Sequence, residues 1–220
     1  MDKKLRSGVL AILAALFLSS SYVFAEELKN IQLLPPQTEG GMPLLQALKE
    51  RKSTRSYSPE DVSRQDLSNL LWAAYGINRP DSGERTVPSA MNMQEFDIYV
   101  LMKEGAYIYN ARRNVLRPVA AGDLREMSGM QPFVKDAPLD LVYVADYSCL
   151  AKVGGQADFY AACDVGFISQ NVYLYCASAG LATIARSWVD REALGKALNL
   201  KADEKIILVQ SVGHPAKKAP

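Results

Sequence analysis

Histidine is almost missing from this chain: His214 is the only one in 220 residues. A lone histidine leaves no histidine-based metal set, and it makes a hydrolase built on Ser89 and His214 a remote reading. Cysteine is scarce as well, with only Cys149, Cys163 and Cys176. The last two stand 13 residues apart in what reads as one long helix. That separation is roughly 20 Å, far outside disulfide reach. Any disulfide would have to start at Cys149, and the spacing fits no metal motif. Buried free thiols are the expectation for all three. Neither a G-x-S-x-G elbow nor a G-x-G-x-x-G fingerprint occurs, so side-chain catalysis of those kinds has no support and a bound cofactor would have to carry the chemistry. No sign of charge dominates, with 25 Lys and Arg against 24 Asp and Glu. Nothing in that balance points to nucleic acid or an anionic membrane surface.

Long apolar runs are missing too, apart from Val9 to Leu18. That run is well short of the roughly 20 residues of a membrane span. It follows the basic residues Lys3, Lys4 and Arg6 and precedes Ser19 to Ser21 and then Val23-Phe24-Ala25. This order reads as a secretory signal peptide over residues 1–25, with cleavage after Ala25 and export to the periplasm or beyond. A transmembrane anchor is the competing reading, and no cysteine follows the run to take a bacterial lipid. The mature chain would be 195 residues with 22 basic and 23 acidic side chains, a size that suits one domain with a real core.

Residues 26–41 are polar and punctuated by Pro35-Pro36 and Gly40-Gly41, and they predict an extended arm. The domain would occupy 42–220. Met42 to Lys52 predicts a short helix with Leu44, Leu45 and Leu48 on one face. Ser63 is placed to cap a second helix, whose Leu67, Leu70, Leu71 and Ala74 share one side, with Gly76 ending it. Residues 79–88 predict a loop. Strands are expected over Phe96–Met102, Ala106–Tyr109, near Val115, over Leu139–Ala145 and over Lys205–Val212. Small helices are expected around Asp123–Met127 and over Asp190–Leu198. Phe159 to Ala179 predicts the longest helix, ended by Gly180. Phe159, Ala162, Val165, Gly166, Ile168, Val172, Leu174 and Tyr175 make it apolar on most of its circumference, which calls for cover on nearly all sides and so for a partner subunit. The pattern is α+β, with an antiparallel-leaning sheet flanked by helices.

Four segments could carry chemistry. Arg51-Lys52-Ser53-Thr54-Arg55 can hold a phosphate, although cations also collect at helix C-termini for the dipole alone. Pro88-Ser89-Ala90-Met91-Asn92-Met93-Gln94 offers small residues and amides, as a planar, polar-edged ligand needs, or is a loop entering a strand. Gly180-Leu181-Ala182-Thr183 and Gly213-His214-Pro215 with Lys217 and Lys218 are weak alone. Taken together and in order, the four segments resemble the nitroreductase family over roughly residues 43–218. The resemblance is closer to its SagB-type, azoline-dehydrogenase-like branch in Leu70 to Ile77, Arg85 to Ala90, Tyr107 to Asn110 and Gln170 to Leu174.

That resemblance implies a nitroreductase-like fold in an intertwined homodimer, with FMN at the interface. It implies that Arg51, Ser53 and Arg55 hold the phosphate and ribityl end, with Lys217 or Lys218 adding charge. Lys52 would lie at the pyrimidine edge or ribityl chain. Pro88, Ser89, Ala90, Met91, Asn92 and Gln94 would come from the other subunit along the ring, and Thr183 and Ile184 would sit near N5. The implied activity is hydride transfer at N5 on a small or peptide-borne substrate, with no catalytic side chain, no metal and no nucleic acid. A non-catalytic flavin- or ligand-binding module of the same fold is the alternative. Two departures from the family pattern stand out: Glu95-Phe96 replaces the usual Pro-Trp, and Met91 replaces a frequent Gly.

Overall fold

Alternating apolar side chains build a seven-stranded sheet with a core on each face. The computed structural model describes residues 28–217; the expected signal peptide, residues 1–25, and Lys218 lie outside the described residues. In chain order the elements are β1 (Ile31–Gln32), α1 (Leu44–Glu50), α2 (Arg64–Tyr75), β2 (Ile77–Arg79), β3 (Glu84–Arg85), β4 (Phe96–Leu101), β5 (Gly105–Asn110), β6 (Val115–Ala121), β7 (Leu139–Asp146), α3 (Ala157–Ala179), β8 (Ala182–Arg186), α4 (Arg191–Ala197) and β9 (Glu204–Gly213). The sheet runs β1-β6-β5-β4-β7-β9-β8, and every pairing in it is antiparallel. The β2–β3 hairpin stands apart.

Successive residues of a strand face opposite sides. Ile98, Val100, Leu141 and Tyr143 therefore meet Leu67, Leu70 and Leu71 of α2 and Val165, Ile168 and Val172 of α3. Tyr99, Leu101, Val142 and Val144 point the other way, onto Leu194 of α4 and Leu198 just after it. With helices on both faces, β7 can be apolar almost throughout. The helix ends follow the local sequence. Ser63 Oγ accepts the Asp66 N–H at 3.0 Å, and α3 ends at Gly180, whose φ of 71° is left-handed, a conformation glycine takes without a Cβ penalty.

Several expectations need correction. The arm contributes a strand, β1, and the loop at 79–88 contains most of a hairpin. Of the three thiols expected to be buried, only Cys176 is; Cys163 is half-buried and Cys149 exposed, with no disulfide among them. Cys149 opens the 3₁₀ segment Cys149–Gln156 on the surface ahead of α3, so its position reflects the entry to the helix. Leu44, Leu45 and Leu48 of α1 point outward, at 64%, 79% and 46% exposure, while Ala47 is buried.

The long helix is covered along one side only. Ala161, Val165, Ile168, Val172 and Cys176 are buried against the sheet and α2. Phe159, Ala162, Gly166 and Phe167 line the opposite side and are exposed. No described helix is long and apolar enough to cross a membrane.

Candidate functional site

The site forms along the outer edge of β8. This strand pairs with β9 on one side, and residues 51–58 run beyond it as an extended ribbon. The Thr54 N–H donates to the Thr183 carbonyl at 2.9 Å, the Ser58 N–H to the His214 carbonyl at 2.9 Å, and the Ala216 N–H to the Ser56 carbonyl at 3.1 Å. A cleft of about 540 Å3 opens between this ribbon, α1 and the C-terminal half of α3, lined among others by Met42, Gln46, Lys52, Thr54, Tyr173 and Thr183.

Because the ribbon is extended, alternate residues face opposite ways. Lys52, Thr54 and Ser56 line the cleft. Arg51 and Ser53 instead meet Tyr173. The Arg51 guanidinium sits 5.3 Å from the centre of its ring, and Ser53 Oγ lies 2.9 Å from its hydroxyl. The Tyr173 hydroxyl in turn accepts the Ala185 N–H of β8 at 2.9 Å. Arg55 is exposed, as is Lys217, the last described residue. Arg51, Lys52 and Arg55 have no ion-pair partner among the described residues. The basic segment is thus one piece of chain with two faces.

Thr183 contributes backbone to this edge, because its side chain turns into the protein. Its hydroxyl donates to the Ser211 carbonyl at 2.8 Å and accepts from Gln210 Nε2 at 3.0 Å. Gln210 Oε1 accepts the Tyr143 hydroxyl at 2.7 Å. Replacing Thr183 with valine keeps the shape but strands both bonds in a buried place. The expected loss is about 1–3 kcal/mol of folding stability, read by urea denaturation; an unchanged midpoint would show that the network does not set the edge. Ile184 is buried next to it.

Beyond Thr183 lies a buried ion pair that sequence reasoning missed. Arg186 Nη2 donates to Asp140 Oδ1 at 2.7 Å and to Ser211 Oγ at 2.6 Å. Arg186 Nη1 donates to the Ser128 carbonyl at 2.7 Å, and Ser211 Oγ also bonds Asp140. The available signal was Asp140 itself, a charge inside an otherwise apolar strand.

Pro88 to Gln94 sit elsewhere. The Ala90 N–H donates to Asp164 Oδ2 of α3 at 2.9 Å. The Gln94 N–H donates to Ser89 Oγ at 2.9 Å, Arg85 Nε to Gln94 Oε1 at 2.9 Å, and Gln94 Nε2 to Asn92 Oδ1 at 3.0 Å. Met91, Asn92 and Gln94 take left-handed φ values of 51°, 54° and 48°, a costly backbone for side chains of this kind and one that clusters at functional sites. Met91 is 72% exposed at the tip. Asp164 and Tyr173 are nine residues apart on α3, or about 13 Å of helix rise. One copy of the chain therefore does not bring this turn onto its own basic segment. Nor does any hydrogen bond among the described residues join Ser89 to His214, which leaves the hydrolase reading without its pair.

Known proteins share this architecture. Residues 48–214 match the nitroreductase family. A candidate nitroreductase of Methanocaldococcus jannaschii is 32% identical over 176 residues, 75% of this chain and 87% of the relative. The crystal structure of a candidate nitroreductase from Ralstonia eutropha superposes with a TM-score of 0.83 at 40% identity, covering 86% of this chain and 91% of the other. The Escherichia coli microcin synthetase McbBCD complex contains a chain of the same fold, with a TM-score of 0.67 at 17% identity, covering 96% and 94% of the two chains.

Proposed function

Because the chain belongs to the nitroreductase family, a family of oxidoreductases, we propose that it is an exported, FMN-dependent oxidoreductase that works as a homodimer on a small or peptide-borne substrate. The observation that carries the reading is the basic segment. Three cations within five residues lack ion-pair partners among the described residues, and they sit with the Ser53 hydroxyl beside the β8 edge. Cations and hydroxyls of this kind fit a phosphate dianion. The neighbouring apolar wall of Leu181, Ala182 and Pro215 fits the flat ring of a flavin.

In this reading Arg51, Ser53 and Arg55 hold the phosphate end, with Lys217 or Lys218 adding charge, and Lys52 reaches the cofactor from the cleft side. The Thr183–Ile184 backbone lies along the ring, fixed from below by Gln210. The turn from Pro88 to Gln94 comes from the second copy, since α3 holds it away from its own basic segment. When bound, FMN supplies hydride transfer at N5. The protein binds, orients and shields, and no side chain need act as an acid or base. The SagB-type resemblance and the fold shared with a microcin synthetase chain support a peptide-borne substrate as one member of the class. The expected signal peptide supports export, which would place the enzyme away from cytosolic nicotinamide nucleotides.

The test is FMN affinity of the purified mature chain and of Arg51→Ala. Losing a charge-assisted bond to phosphate costs about 1.5–3 kcal/mol, or roughly 10- to 150-fold in Kd. Quenching of flavin fluorescence on titration reads it directly. A variant that binds FMN as tightly as the parent would remove Arg51 from the site.

A further inference from the structure

Glu95 stands directly after the strained turn, at the start of β4, and is only 2% exposed. Neither of its carboxylate oxygens has a hydrogen-bond partner among the described residues. The carboxylate that faces it is Asp164 of α3, itself 4% exposed and already accepting the Ala90 N–H. Two buried carboxylates with no cation between them cannot both be ionised cheaply. The nearby cation, Arg85, is engaged elsewhere: its guanidinium lies 3.9 Å from the centre of the Tyr75 ring and donates to the Tyr75 carbonyl at 2.8 Å and to Gln94.

We propose that Glu95 is a positioning residue: it carries a proton that it shares with Asp164, and this shared proton holds the Ser89–Gln94 turn in its left-handed form. The chain of contacts is short. The proton lets Glu95 donate to Asp164; Asp164 holds the Ala90 N–H; Ala90 opens the turn. When Glu95 ionises, its proton goes to solvent and two like charges face each other behind the turn. The turn, with three left-handed non-glycine residues, is the local structure least able to resist. Burial first, and Asp164 after it, pushes the Glu95 carboxyl up to about 7 from its ordinary 4.5. The other titratable groups facing this spot are Tyr75 of α2 and Cys149 of the 3₁₀ segment. That the turn lies along the flavin of the second copy rests on the function proposed above; the proton and the turn do not.

A carboxyl whose folded value is raised contributes stability that is complete below its unfolded value and is lost as the pH rises through the folded one. For Glu95 the window runs from about 4.5 to about 7. Glu95→Gln donates to Asp164 at every pH. Melting temperatures of the mature chain and of Glu95→Gln are therefore expected to converge near pH 5, with the variant melting higher at pH 8. Asp164→Asn should weaken the same inflection and move it to lower pH, since burial of Glu95 remains while the facing charge is gone and the amide can both accept from Ala90 and donate to an ionised Glu95. Hydrogen exchange of the peptide 86–96 at pH 8 should be slower in Glu95→Gln than in the parent. FMN affinity of the parent should weaken above pH 7, by up to tenfold per pH unit, and stay flat in Glu95→Gln. A melting difference independent of pH overturns the shared proton, and equal exchange at pH 8 overturns its hold on the turn. If FMN fails to bind at every pH while melting and exchange behave as expected, the cofactor assignment falls and the coupling stands.

Discussion

Replacing Arg186 with methionine is expected to lower folding stability by about 3–5 kcal/mol at pH 8, because it leaves Asp140 buried and unpaired. Asp140 is fully buried at 0% exposure, and Arg186 is 5% exposed. Methionine fills much of the same volume, so the loss reports the charge. Burial outweighs the guanidinium beside it and holds the Asp140 carboxyl at about 6, above its ordinary 3.8. Its stabilising contribution is thus complete below about 3.8 and lost as the pH rises through 6. Removing Arg186 takes away the strongest influence holding that value down, and Asp140 then protonates at a still higher pH. The penalty should accordingly shrink toward pH 5, where the variant can keep Asp140 neutral. Urea denaturation at pH 5 and pH 8 reads both parts. A penalty under 1 kcal/mol at pH 8 would mean that water or a rearranged Ser128 and Ser211 replace the guanidinium. Thr183 and Arg186 both donate to Ser211, so the variant should also loosen the edge that carries the candidate site.

If the proposed homodimer forms through the open stripe of α3, Phe167→Asp is expected to leave the chain monomeric and to take the proposed FMN binding with it. Phe167 is 47% exposed in the single chain, on the same open stripe as Phe159 at 63%. A carbon placed at Gly166 would meet nothing within 4 Å, so a second chain can approach the helix closely there. Truncating an aromatic anchor at an interface centre costs at least about 2 kcal/mol, roughly 30-fold in the dimer constant. An added carboxylate in a dry interface costs more. Because the stripe is open in the single chain, folding of the monomer should change little, and that separates this variant from a destabilised one. Sedimentation equilibrium with and without FMN reads both quantities. A monomer that still binds one FMN per chain would rule out a site shared between copies.

The helices α2, α3 and α4 and the strands β4 to β7 and β9 were readable from local pattern. Their apolar residues recur with the period of the element, and Ser63, Gly76 and Gly180 mark ends by local chemistry that does not depend on distant contacts. The hairpin of β2 and β3 and the edge strand β8 were not. Strands of two, three and five residues carry too few alternations to be told from loop, and β8 holds its form because β9 pairs with it.

The site divides along the same line. Which residue types could serve a phosphate and a flat ring, and the family they belong to, were determined by the sequence, because the order of four short segments is a property of the chain alone. The sequence also marked Glu95 as a departure. The division of Arg51 and Ser53 from Lys52 across the two faces of one ribbon was decided only by folding, since it depends on the ribbon lying extended against β8. So was the distance of the Ser89–Gln94 turn from that ribbon, which α3 sets by carrying Asp164 and Tyr173 at different heights. The pairing of Asp140 with Arg186 and of Glu95 with Asp164 was likewise decided there. Charges 46 and 69 residues apart in the chain become partners only when the sheet and helix exclude the water between them.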